Sequence, residues 1–156
     1  MKKSFILVMV CTLFLSTMFL CFGTSEASAV IMKKVPGSPG WMYRVDNPHV
    51  DGVETDWHVH VNKGKVNGVE TVTGKKSHGK TLTSAGVPKS VQKNVKKTKD
   101  FKRAVEKQKK LEAERKKVSK YSLLDIIGNP SLIVALAGLI GVSVWKVIKN
   151  PSLIFG

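Results

Sequence analysis

His58 and His60 are the residues of this chain best placed to do chemistry, in the run Trp57-His58-Val59-His60-Val61. Strict alternation ending at Asn62-Lys63-Gly64 predicts a β-strand followed by a turn. Period-two geometry puts both imidazoles on one face and Trp57, Val59 and Val61 on the other. Two neutral imidazoles so placed can bind one Zn²⁺, with further ligands from His49, His78, Asp51 or Asp56. An open coordination position on such an ion would give hydrolytic chemistry. Two plainer readings compete. A polar strand face at a sheet edge often carries histidines with no ligand role, and no HExxH run accompanies the pair. Four histidines among many lysines also gain charge below about pH 6.5, which would strengthen binding to an anionic surface. The expectation is therefore no cofactor and no enzymatic activity, with zinc at His58 and His60 as the exception to test.

The strand needs neighbours. Trp41–Val45, Val69–Thr73 and Lys80–Thr83 are further strand candidates between Gly- and Asn-rich turns, and Asp51–Thr55 echoes in Asn67–Thr71. Residues 41–85 thus form a small β-rich hairpin or meander region, preceded by a Pro/Gly-rich linker at 30–40. Its few large apolar residues and lack of disulfides put it near the limit of independent stability.

Charge dominates the rest. The 156 residues carry a formal net charge of +15, which argues for an anionic partner. Residues 86–120 form a basic helical arm. Its stretch Lys89–Lys120 holds 14 Lys and Arg against 4 Asp and Glu, without glycine or proline. Pro88 suits the first turn. Lys96, Lys97, Lys99, Lys102, Arg103, Lys109, Lys110, Arg115, Lys116 and Lys117 are the candidate contacts to anionic lipid or wall polymer, each contributing up to about 1 kcal/mol. One aromatic, Phe101, leaves little for base stacking, so no nucleic acid is expected. Apolar residues Val91, Val95, Phe101, Val105, Leu111 and Val118 make only a thin, drifting stripe.

Two apolar runs flank this middle. Residues 1–29 read as a cleaved signal peptide, with Lys2 and Lys3 ahead of an apolar stretch and Ala27 and Ala29 as the small residues at the cleavage site. Both cysteines, Cys11 and Cys21, fall inside it. After the juxtamembrane residues 121–129, Pro130 to Ile148 runs for 19 residues with Lys146 as its one charge. As a helix it would rise about 28 Å, close to a bilayer's hydrocarbon thickness. It reads as a transmembrane helix bounded by Asn129-Pro130 and Asn150-Pro151, with Ala137 and Gly141 as a small-residue packing pair for self-association and 149–156 as a short tail. The fold class expected is small α+β: signal peptide, β-meander, long basic helix and one C-terminal membrane helix.

The function that follows is an exported, single-pass cationic binding protein, mostly outside the membrane and acting at the bacterial cell envelope through its polybasic arm. The alternative is a membrane-active toxin or bacteriocin-like precursor, with residues 121–156 as the hydrophobic effector.

Overall fold

The computed structural model describes residues 31–49 and 54–156. The expected signal segment, with Ala27 and Ala29, and the candidate ligand Asp51 lie outside the described residues. Four strands, β1 (Lys33–Lys34), β2 (Met42–Asp46), β3 (His58–Lys63) and β4 (Val66–Thr71), form an antiparallel meander in chain order. Lys80–Thr83, expected as a strand, is turn, and a short strand lies within the expected linker.

The register decides what each face carries. Tyr43 opposes Val61, and Val45 opposes Val59. These side chains face the helices, joined on β4 by Gly68 and Glu70. Gly68 is required there, because a Cβ would meet Val87 Cγ2 at 2.6 Å. The opposite face receives Arg44 across from His60, and Asp46 across from His58.

The basic arm is two helices. α1 (Lys89–Lys96) follows Pro88, and α2 (Lys99–Val118) starts afresh at Thr98, whose Oγ1 accepts the Phe101 N–H. The buried side of α2 is Phe101, Ala104, Gln108, Leu111, Arg115 and Val118. That is an alternating three- and four-residue spacing, the rhythm of a packed helix seam. Asp100, in the first turn of α2, accepts from Lys33 Nζ at 2.6 Å and Tyr43 Oη at 3.1 Å, joining the sheet edge to the helix.

The apolar end corrects the expectation most. Among the described residues no helix is long and apolar enough to cross a membrane. The stretch Pro130 to Ile148 is instead a 3₁₀ turn (Pro130–Ile133), α4 (Val134–Ile140) and most of α5 (Val144–Lys149), preceded by α3 (Leu123–Gly128) and followed by α6 (Ser152–Phe155). Gly141, cast as a helix-packing residue, ends α4 in the left-handed conformation, φ 82 and ψ 34. Ser143 then caps α5 by accepting the Lys146 N–H. Ala137 is buried, but in the protein's own core. Ile126, Ile133, Leu136, Ile140, Val147, Leu153 and Ile154 share that core, while Leu124 and Trp145 are exposed. The single-pass anchor and its lipid-embedded dimer interface are therefore withdrawn.

The Asn-Pro breaks belong to a longer repeat. Ser122–Ile133 and Ser143–Ile154 share Ser, Ile and Asn-Pro-Ser-Leu-Ile at a 21-residue offset. Each serine caps its helix, and Asn129 and Asn150 adopt nearly the same backbone, φ/ψ −135/77 and −131/77. Ile126 and Val147, and Ile133 and Ile154, are buried at equivalent positions. The last 35 residues are two copies of one helical unit around α4, and their amphipathic burial is what a length criterion overlooks.

Candidate metal centre

All four histidines of the chain converge on the sheet face away from the helices. Ring centroids lie 5.1 Å apart for His49 and His58, 5.2 Å for His58 and His60, 5.5 Å for His58 and His78, and 5.7 Å for His49 and His78. Three local devices bring them there. The alternation of β3 supplies His58 and His60. His49 opens a loop pinned at its far end, where its N–H donates to the Glu54 carbonyl at 2.9 Å. His78 occupies a two-residue hairpin turn closed by Ser77 and Lys80, with φ 48 at His78 and 74 at Gly79. Positive φ at both central residues is the type I′ requirement, usually met by Asn-Gly. Here it carries an imidazole, and Ser77 Oγ donates to the buried Glu54 carboxylate to hold the turn against the His49 loop.

His58 is the hub. It is 0% exposed, and its Nδ1 lies 3.1 Å from the Asp56 carbonyl. A carbonyl only accepts, so Nδ1 carries the proton and Nε2 presents a lone pair. That Nε2 is buried with no hydrogen-bond partner. This arrangement matches a metal-ligating histidine, whose second nitrogen donates to a backbone carbonyl that fixes the tautomer. Burial lowers the His58 pKa. Burial, then the Arg44 guanidinium, brings His60 down to about 4. Both rings are neutral at pH 7, the state a metal requires.

Two donor sets share His58. His49, His58 and His78 form one, and Asp46, His58 and His60 the other, with donor atoms within 4.8 Å of one another in each. Asp46 Oδ2 lies 3.4 Å from His60 Nε2 and 3.9 Å from His58 Nε2, while pairing with Arg44 Nε at 2.9 Å. Tetrahedral zinc at bonds of 2.0–2.1 Å separates its ligands by about 3.3 Å. No pair in either set need close by more than about 1.5 Å to fit, and in the first set the exposed turn residue His78 and half-buried His49 leave room for it. Donor chemistry, tautomer and the unpartnered nitrogen all fit a zinc-type ion.

The support beneath His58 comes from α2. Asp56 Oδ1 accepts from Gln108 Nε2 at 2.9 Å and Arg115 Nη1 at 2.8 Å. Gln108 Oε1 accepts the Trp57 N–H at 2.9 Å. Arg115 also donates to the Thr55 carbonyl and, through Nε, to the Leu153 carbonyl at 3.2 Å.

His58 and His60 do share one face, and His49 and His78 join them. Asp56 orients His58 through its backbone, while its carboxylate is taken up by Gln108 and Arg115. Asp46 is the ligand candidate that sequence reasoning missed; nothing short of the strand register places it beside the pair. Of the ten cations assigned to an anionic surface, Lys97, Lys99, Lys102, Arg103, Lys109, Lys110, Lys116 and Lys117 are exposed. Lys96 is exposed but pairs with buried Glu70 at 3.5 Å. Arg115 points inward to Asp56 and is buried. Compared with known proteins, the chain matches no family model, no curated protein and no solved structure.

Proposed function

We propose that this protein is a cationic metal-binding protein whose functional centre is the cluster of His49, His58, His60, His78 and Asp46, with zinc as the ion its donors suit best. One observation carries the reading: four imidazoles from a strand, a loop and a turn surround the buried, unpartnered Nε2 of His58. An isolated polar strand face would not recruit His49 and His78 from separate segments. Calorimetric titration of chelator-treated protein with Zn²⁺ should give one ion per chain. His58→Ala should remove the binding. His78→Ala, at an exposed turn, should weaken it at least ~10-fold with an unchanged circular dichroism spectrum. A wild-type protein that binds no zinc would refute the proposal.

A second reading rests on α2. Its buried seam leaves eleven lysines and arginines of α1, α2 and their junction facing solvent. Such a face suits an anionic polymer or lipid headgroups at a cell envelope. Binding to anionic but not neutral vesicles at low salt tests it, and equal binding to both would end it.

A further inference from the structure

We infer that the metal centre is a phosphodiester-cleaving site, with the hairpin Thr73–Lys80 as its substrate-facing rim. This rests on the zinc reading above and goes beyond it.

The first argument is coordination number. The mutually close donor sets each hold three residues. A tetrahedral ion held by either set is one ligand short, the arrangement of catalytic and not structural zinc. The missing ligand must come from the side the cluster opens to. His58 closes the floor, fully buried, whereas His78 is exposed on its turn and His49 and His60 are half-buried. The opening is therefore beside the hairpin.

The second argument is what that hairpin carries. Lys75, Lys76 and Lys80 flank His78 within six residues, and all three are exposed. Among the described residues, none of them pairs with a carboxylate. Backbone pairing sorts them: Lys76 bridges Glu70 and shares its helix-side face, whereas Lys80 bridges Ser77, whose hydroxyl reaches Glu54 beside His49. Arg44 adds a guanidinium on the sheet face itself, opposite His60. A neutral peptide carbonyl would make no use of the unpaired lysines Lys75 and Lys80 on the hairpin that carries His78. A phosphoryl group would, with one oxygen toward the ion and the others toward the ammonium groups. The overall charge of +15 favours a polymer of such groups over a single phosphate, since the summed field concentrates polyanions.

The reaction is a hydrolysis with water as its co-reactant. Zinc held by these residues would lower the pKa of a bound water toward neutrality and supply the nucleophile. The water oxygen forms a bond to phosphorus and one phosphorus–oxygen ester bond breaks. The water gives up a proton and the departing alkoxide takes one, leaving an alcohol and a phosphate monoester. No electrons are exchanged.

The test uses the full chain loaded with Zn²⁺ or Co²⁺. Bis(p-nitrophenyl) phosphate is the simplest substrate, and RNA, single-stranded DNA and polyglycerol phosphate separate the natural sources of the same linkage. Expected are diester hydrolysis, fragmentation of at least one polymer, and a change in the Co²⁺ visible spectrum on adding inorganic phosphate. Lys75→Ala combined with Lys80→Ala should lower the diester rate at least ~10-fold while zinc still binds one per chain. Stoichiometric zinc with no cleavage of any diester overturns this inference and leaves the metal reading standing. Cleavage persisting in excess chelator overturns both. Faster hydrolysis of p-nitrophenyl phosphate, or cleavage of casein in place of the diesters, overturns the substrate class.

Discussion

A carbonyl oxygen can only accept, so Asp56 decides which nitrogen of His58 keeps its proton. Burial then keeps that ring neutral, as burial and Arg44 do for His60. The consequence for stability has a definite sign. A folded pKa near 4 for His60, against an ordinary 6.5, means the unfolded chain binds more protons between those values. This contribution is complete above about pH 6.5 and is lost as pH falls toward 4. It amounts to no more than about 3 kcal/mol for His60. Urea unfolding of zinc-free protein should show a lower midpoint at pH 4.5 than at pH 7; an equal or higher midpoint would contradict the burial argument. Arg115→Met should cost on the order of 1–3 kcal/mol, because it leaves the half-buried Asp56 carboxylate with Gln108 as its one remaining donor. Zinc affinity should fall with it, since Asp56 orients His58. His58 and His60 were legible in the sequence because strand alternation is a local property. Asp46 and His78 were not, because one depends on cross-strand register and the other on an unusual turn.

Among the elements, the seam of α2 shows where periodicity misleads. Two of its six buried positions are Gln108 and Arg115, and polar letters broke the apolar rhythm that would have revealed it. The stretch Pro130 to Ile148 failed in the opposite way. Nineteen nearly uncharged residues satisfied a length rule while Gly141 and Ser143 divided them. Gly141→Ala should destabilise by about 1 kcal/mol, since a side chain resists left-handed backbone. Gly68→Ala should cost about 1–3 kcal/mol through overpacking against Val87. Chemical denaturation of the two variants reads both numbers, and a neutral Gly68→Ala would show that Val87 does not press on β4.

For the molecule as a whole, sheet and helices bury one continuous apolar cluster, from Val35 to Ile154. The sequence suggested that the β region was short of core, and the shortage is met by α2 and the C-terminal repeats. Charge acts at this same scale. Eleven exposed cations on and between α1 and α2 should make polyanion binding fall steeply with salt. Heparin affinity should drop at least ~10-fold between 50 and 200 mM salt, and a salt-independent affinity would mean the contacts are not ionic.

The bond from Arg115 to the Leu153 carbonyl also orders events in time. On the ribosome the histidines emerge well before Leu153 does. Until Leu153 is made and seated, Arg115 lacks one of the contacts that fix its grip on Asp56. A nascent or prematurely terminated chain therefore displays its imidazoles without their full scaffold, so the metal capture proposed above would wait on synthesis through the second helical repeat.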